Sequence, residues 1–334
     1  MKRGETVAKL RLGTIGTSGI TEQFIEAAIN SGKYSLEAVY SRTQDRALLF
    51  KEKFKALKAY TDWEVFLNDP EIDVIYIASP NSLHFEQAKQ VLIHQKHAIV
   101  EKPIVTSLPD LDRLIDLARQ NNKVVVEAAR HLYEPNFMTI SKWIKNLPRV
   151  YGASLTYSKY SSRYDEVLKG GEPAIFSPNF DGGAVNDLGI YVVYAAIHWF
   201  GKPQGVHAFI QKVETGVDGK GMALLRYPDF DVTLNFGKIN TSLHSTEIYG
   251  PDQTLILDGV TGLSEATLID ARTKEAQKLN LEEPAANPLS WEANEFADLI
   301  LNFQKEESKV LLNKRLTLSR NVHEVLEQIR RHTK

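Results

Sequence analysis

The first segment that could do chemistry runs Leu12-Gly13-Thr14-Ile15-Gly16-Thr17-Ser18-Gly19-Ile20. It follows an apolar run and opens a helical pattern. A glycine turn in that position lets backbone N–H groups and a helix N-terminus approach a pyrophosphate. Gly16, Thr17, Ser18, Gly19 and Ile20 are the candidate contacts. Counting Gly16 as the first glycine of a dinucleotide fingerprint, Ser18 replaces the second and Thr21 the third. A small hydroxyl residue still permits close approach. The competing reading is a tight strand-to-helix turn with no ligand. The next strand ends Ala38-Val39-Tyr40-Ser41-Arg42. An acidic residue there would hold the ribose 2′-hydroxyl of NAD. Ser41 and Arg42 instead offer a hydroxyl and a guanidinium fork suited to a 2′-phosphate. This favours NADP and leaves NAD admissible. The alternative for Arg42 is a surface arginine capping the next helix.

Two further segments are Val74-Ile75-Tyr76-Ile77-Ala78-Ser79-Pro80-Asn81-Ser82-Leu83-His84 and Ala98-Ile99-Val100-Glu101-Lys102-Pro103. In a parallel sheet both emerge at the carboxyl ends of neighbouring strands, where ligands bind. That places Ser79, Pro80, Asn81, His84, Glu101 and Lys102 at one edge. Each segment alone also reads as a capped turn: Asn81 or Ser82 is a good N-cap, and Pro103 a good stop.

The elements that position these residues follow from periodicity. Strands are expected at Leu10 to Gly16, Leu36 to Tyr40, Val74 to Ala78, His97 to Val100 and Val124 to Val126. Helices are expected at Thr21 to Asn30, with Phe24, Ile25, Ala28 and Ile29 on one face, and at Asp45 to Phe54, Ser82 to Gln95 and Leu108 to Asn121. Strands apolar on both faces and separated by helices predict a doubly wound parallel α/β sheet, a Rossmann fold over residues 1–128. Beyond Glu127 the pattern changes. Pro135 to Lys145 reads as a connecting helix. Alternating segments follow at Ala153-Leu155-Tyr157, Ala208-Ile210, Met222 to Tyr227, Val232-Leu234-Phe236, Thr246 to Tyr249 and Thr254 to Leu257, with turns between. Helices close the chain near Trp291 to Phe303 and Leu318 to His332. Residues 129–334 therefore read as an α+β domain with a large, mostly antiparallel open sheet, whose last helices could pack back on the first domain.

Composition narrows the function classes. The 334 residues suit two domains rather than one core. A formal net charge of −2 gives no global field for nucleic acid or anionic lipid. With no cysteine, disulfides, thiolate nucleophiles and cysteine-ligated metals are excluded. The nine histidines show no metal-ligand spacing, so no metal is expected. Met1 to Leu10 is charged and lacks the apolar core of a secretory signal. No apolar run is long enough to span a bilayer. A soluble cytoplasmic protein is the expectation.

Taken together, the glycine turn, the Ser79-Pro80-Asn81 segment, the Glu101-Lys102-Pro103 segment and Gly182-Gly183-Ala184-Val185-Asn186-Asp187-Leu188-Gly189-Ile190-Tyr191 resemble the glucose–fructose oxidoreductase / inositol dehydrogenase (Gfo/Idh/MocA) family. The Glu247-Ile248-Tyr249-Gly250 strand and the last helix fit the same resemblance, which covers nearly the whole chain. It implies substrate held between the two domains against a nicotinamide, and oligomers, dimers or tetramers, built through the second domain's sheet. It implies a catalytic Lys102, with Asp187 and Tyr191 as the acidic residue and the general acid/base. It places Asn81 and His84 at the cofactor. Tyr191 stands where many members carry histidine. That resembles the dihydrodiol dehydrogenase and NADP-dependent xylose dehydrogenase branch more than the inositol dehydrogenases.

The implied activity is hydride transfer between NADP(H) and a carbinol or carbonyl carbon of a sugar, polyol or trans-dihydrodiol. The chemistry is consistent with these residues. A free tyrosine ionises near pH 10, too high for an efficient base, and a lysine cation beside it favours phenolate. If the segment is helical, Asp187 and Tyr191 share a face four residues apart. Asp187 then positions a substrate hydroxyl or Lys102; otherwise it complements a helix dipole. Glu127, Arg130, His131 and Tyr133 lie near the expected cleft, and one or two are expected to touch substrate. Tyr157, Tyr160, Arg163 and Tyr164 form either a polyol-binding cluster or an exposed rim. A dinucleotide sensor without turnover, or a redox-neutral enzyme with retained cofactor, is the alternative on the same fold.

Overall fold

The computed structural model describes residues 9–332. Most of the charged stretch Met1 to Leu10, and the ends of both expected domains at residues 1–8 and 333–334, lie outside the described residues.

Six strands form the first sheet: β1 (Leu10–Ile15), β2 (Tyr34–Tyr40), β3 (Lys58–Tyr60), β4 (Val74–Ile77), β5 (His97–Glu101) and β6 (Val125–Ala128). Their order is β3-β2-β1-β4-β5-β6, all parallel. This is the doubly wound order with its switch point between β1 and β4. Every residue of β4 and of β6 is buried, as a strand covered on both faces requires. The covering helices are α1 (Gly19–Asn30), α2 (Gln44–Phe54), α3 (Trp63–Leu67), α4 (His84–Ile93) and α5 (Leu108–Gln120). Phe24 of α1 stacks on Tyr76 of β4 with ring centroids 3.8 Å apart. Two details differ from the periodicity. The short β3 and α3 have no counterpart in the sequence reading, and Ile29, expected on the buried face of α1, is exposed while Thr21 and Ala27 are buried.

After the connecting helix α6 (Pro135–Lys145) comes β7 (Gly152–Ser158), followed by the single turn α7 (Tyr164–Val167) and α8 (Ile190–Phe200). The remaining strands are β8 (Gly205–Lys212), β9 (Asp218–Arg226), β10 (Asp231–Gly237), β11 (Thr246–Tyr249), β12 (Gln253–Leu257), β13 (Ala266–Asp270) and β14 (Ala276–Lys278). They make an eight-stranded sheet ordered β14-β13-β12-β11-β7-β10-β9-β8. All neighbours are antiparallel except β7 and β10, which run parallel. α8 is buried at nine of its eleven positions and packs on this sheet.

The chain closes with α9 (Ser290–Leu301) and the 26-residue α10 (Glu306–Arg331), a dozen residues longer at its start than the apolar pattern suggested. Both helices return to the first sheet's layer. Tyr34 Oη donates to the Ala293 carbonyl at 3.0 Å, and Arg320 of α10 pairs with Asp112 of α5 at 2.8 Å. No helix among the described residues is long and apolar enough to cross a membrane.

Candidate active site

The glycine turn sits where β1 ends at the switch point. Gly16 has φ of +106°, and a Cβ there would lie 2.5 Å from the carbonyl oxygen of Ala78, the residue after β4. Glycine is thus required both by backbone conformation and by the close approach of two strand ends. α1 starts at Gly19 with Ser18 as its N-cap in extended conformation, and the Ser18 side chain makes no capping hydrogen bond. The first N–H groups of the helix are therefore not claimed by that side chain, which suits a pyrophosphate.

A cleft of about 520 Å³ opens beside this turn. The first sheet's side supplies Ser18, Ile20, Ala78, Ser79, Pro80, Asn81, His84, Glu101, Lys102, Ala128 and Arg130. Asp187 and Tyr191 face them from the second sheet's side, beneath Ala174, Ile175 and Phe180, with Leu289 at the margin. The structure thus gathers Lys102, Asp187 and Tyr191 around one cleft. Gly16 forms the turn beneath it, while Thr17, Gly19, Ser41 and Arg42 do not line it. Ser41 and Arg42 follow β2, one strand over from the turn, where Ser41 is buried and its N–H donates to the Tyr60 carbonyl at 3.1 Å. Arg42 is exposed.

Lys102 Nζ donates to Asp187 Oδ1 at 2.7 Å and to the Asp187 carbonyl at 2.9 Å. It also stands 5.0 Å from the centre of the Tyr191 ring. The other carboxylate oxygen, Asp187 Oδ2, accepts from Lys238 Nζ. Burial pulls the Lys102 ammonium down, but the charge and hydrogen bond of Asp187, together with Tyr191 and Glu101, outweigh it and hold Lys102 above the ordinary lysine value. Burial pushes the Asp187 carboxyl up, and Lys102 and Lys238 together hold it far below the usual range. The Tyr191 phenol differs from the sequence expectation. Burial raises it, and the cations of Lys102 and Arg130 pull it down without cancelling that rise. In the free protein Lys102 is a cation and Tyr191 a neutral phenol, two hydrogen-bond donors facing one cleft.

Asp187 lies in a π-helical turn, Val185–Gly189, that runs directly into α8. Such turns insert one residue into a helix and re-aim its side chains. Gly189 within it lets the ring of Phe236 on β10 approach; a Cβ there would meet that ring at 3.3 Å.

Other candidate residues have structural duties. His84 Nδ1 lies 2.8 Å from the Pro103 carbonyl and Nε2 2.8 Å from the Ser79 carbonyl, so the ring spans the ends of β4 and β5 while bordering the cleft. Burial holds it below the ordinary histidine value. Glu101 Oε1 accepts from Tyr76 Oη at 2.5 Å, and Ser79 Oγ donates to Gln87 at 2.7 Å. Asn81 Nδ2 donates to the Asp181 carbonyl at 2.9 Å, tying the first sheet to the segment that roofs the cleft.

Of Glu127 within β6 and Arg130, His131 and Tyr133 beyond it, Arg130 alone lines the cleft; it pairs with Glu134 at 3.1 Å, with its guanidinium 5.9 Å from the Tyr191 ring. Glu127 is buried, accepting from Tyr194, Ser319 and His323 and from the Ile104 N–H. His131 packs against Tyr191, ring centroids 5.0 Å apart, and Tyr133 against Phe296. The aromatic cluster divides likewise. Tyr157 meets Tyr191 edge-on at 5.4 Å, whereas Tyr160 and Arg163 spend themselves on Asp165 and Glu166 at the exposed turn. Lys238 escaped the sequence reading altogether. Next to an alternating strand it looks like a surface lysine, yet it is 2% exposed.

Residues 10–129 match an oxidoreductase family with an NAD-binding Rossmann fold, GFO_IDH_MocA, and residues 150–256 match that family's C-terminal domain. The chain is 35% identical over 325 residues to the uncharacterized oxidoreductase YgjR of Escherichia coli, covering 97% of this chain and 96% of that one. It is 33% identical over 321 residues to scyllo-inositol 2-dehydrogenase (NADP(+)) IolU of Bacillus subtilis, covering 96% and 97%. Among solved structures, KijD10, a 3-ketoreductase from Actinomadura kijaniata in complex with NADP and TDP-benzene, superposes with a TM-score of 0.84 at 20% identity, over 97% of this chain and 98% of that one. The cleft, its glycine turn and both sheets are thus those of a known lineage: the chain belongs to the Gfo/Idh/MocA family of oxidoreductases with an NAD-binding Rossmann domain.

Proposed function

We propose that the protein is an NADP(H)-preferring dehydrogenase or reductase acting on a CH–OH carbon of a polyol or sugar. The observation that carries this reading is the convergence of Lys102, Asp187 and Tyr191 on the cleft that the glycine turn opens. The NADP(+)-dependent inositol dehydrogenase among the relatives supports both the cofactor and the substrate class. It also returns inositols to the candidates, alongside D-xylose-like sugars and trans-dihydrodiols, despite Tyr191.

The cradle fits the dinucleotide: Gly16, Thr17, Ser18, Gly19 and Ile20 would hold the pyrophosphate, and Ser41 and Arg42 the 2′-phosphate. Ser79, Pro80, Asn81, His84 and Glu101 would border the nicotinamide half with Lys102. When bound, the nicotinamide supplies or accepts the hydride. Tyr191 gives the hydroxyl proton from its phenol in the reductive direction and takes it back as a phenolate, its own proton first lost to solvent, in the oxidative one; Lys102 donates to the developing alkoxide, and Asp187 fixes the direction of the Lys102 ammonium. Arg130 adds a second cation against the Tyr191 ring.

We place the boundary between the two domains near residue 128 and the protein in the cytoplasm. We assign oligomer formation to the outer face of the eight-stranded sheet, where Phe209 is 76% and Met222 47% exposed. The test of the activity is NADP+ reduction with scyllo-inositol, D-xylose and a trans-dihydrodiol, run beside Tyr191→Phe. Turnover lost in the variant supports the reading. Cofactor binding without turnover of any of the three would exclude these substrates, and equal turnover in the variant would remove Tyr191 from the mechanism.

A further inference from the structure

Lys238 follows the last residue of β10, at the point where that strand passes beneath the π-helical turn. Its side chain is buried, its ammonium donates to Asp187 Oδ2, and it stands 5.3 Å from the centre of the Phe176 ring. Phe176 belongs to the same short turn as Ala174 and Ile175, which roof the cleft. A buried lysine is costly unless an anion holds it. Here the anion is already engaged by Lys102 on its other oxygen. Two ammoniums thus share one carboxylate, and burial draws the Lys238 ammonium below the ordinary lysine value against the pull of Asp187.

Two further carboxyls face the trio. Asp218 on β9 faces Lys238 but is itself buried, which raises its carboxyl, and it accepts from the Val185 N–H. Glu101 on β5 faces Lys102, and burial raises its carboxyl too. Across Tyr191 stand Arg130, another cation, and the ring of Tyr157. Glu134 pairs with Arg130 from outside the cleft lining.

We propose that Lys238 is a positioning residue for this site: it clamps the second oxygen of Asp187 and brings a second ammonium beside the place where nicotinamide and alkoxide would meet. This rests on the proposed function and adds a charge that function did not require. The consequence is directional. Oxidised nicotinamide carries a positive charge that the reduced ring lacks. Positive charge there disfavours the oxidised form relative to the reduced one and favours an alkoxide over an alcohol. Both effects favour the same event: once Tyr191 has lost its phenol proton to solvent, the carbinol C–H bond breaks, its electron pair leaves with the hydride to the nicotinamide, the hydroxyl proton passes to the phenolate oxygen, and the carbonyl forms.

The test needs no substrate. Affinities for NADP+ and NADPH are measured by titration calorimetry for the parent protein and for Lys238→Gln, Lys238→Met and Lys238→Arg. Removing the charge is expected to improve NADP+ binding relative to NADPH by about three- to tenfold at low salt, and less at high salt. Lys238→Arg is expected to keep the parent ratio. Lys238→Met fills the same buried space if the glutamine variant does not fold. A ratio unmoved in a folded neutral variant, or both affinities falling by one factor, would overturn the proposal and leave Lys238 a packing residue. Failure of the parent to bind either nucleotide would instead strike the proposed function.

Discussion

Lys102 and Asp187 are 85 residues apart in the chain and reach the cleft from different sheets, yet Nζ and Oδ1 meet at 2.7 Å. Neither side chain could hold this place alone. Lys102 is carried on the end of β5, and Asp187 on a turn set by Gly189 packing against Phe236. The pair is therefore a product of how the two sheets are docked.

Lys102→Ala removes the donor and strips Asp187 of one of its two cations. We expect kcat to fall by about 10²- to 10⁴-fold while the NADPH dissociation constant changes little. Tyr191→Phe is expected to lose about 10²-fold or more with cofactor binding retained. Steady-state kinetics with parallel NADPH titrations separate the two quantities, and unchanged kcat in both variants would contradict the assigned roles.

Gly16→Ala puts a Cβ 2.5 Å from the Ala78 carbonyl at a φ of +106°. We expect a stability loss of about 1–3 kcal/mol and weakened binding of both nucleotides, because the turn must open. Thermal unfolding and nucleotide titration read these separately. A variant as stable as the parent would show that the turn is not constrained as described.

Glu127 joins β6 to α8 and α10 by accepting from Tyr194, Ser319 and His323. Burial pushes its carboxyl up, and the neighbouring His323 and the hydrogen bonds outweigh that, so it lies below the ordinary value of 4.5. A depressed carboxyl contributes stability that is present above its unfolded value and lost as pH falls through the folded one. Glu127→Ala is expected to cost about 3–5 kcal/mol near neutrality. Its melting temperature should also depend less on pH than the parent's below about pH 4.5. Parallel slopes in the two proteins would remove Glu127 from the acid sensitivity.

Arg42→Ala is expected to weaken NADPH by about tenfold or more and NADH little, since only NADPH carries the phosphate that we propose the guanidinium forks. Equal losses for both nucleotides would assign Arg42 to the adenine side in general.

Much of this was legible from residue patterns, and what was not has physical reasons. Strands buried on both faces, such as Val74–Ile77, read clearly because nothing polar interrupts them. The three-residue β3 and the exposed β14 bury too little to leave a period. The alternation of β7 and β10 shows that both face a core, but it does not show that they pair in parallel, because side-chain period is the same in either direction. Lys102, Asp187 and Tyr191 were recognisable from their motifs, whereas Lys238 depends on a contact made across the fold and has no local signature. The effect of Lys102 on Tyr191 was read with the right sign, but the burial that outweighs it is invisible in a sequence.

The central claim is that this cleft takes a phosphorylated nicotinamide dinucleotide. Titrating the purified protein separately with NADPH and NADH, following cofactor fluorescence, tests it most directly. The account predicts tight saturable binding of NADPH and weaker binding of NADH. Binding of neither, by protein confirmed to be folded and free of retained cofactor, would contradict it.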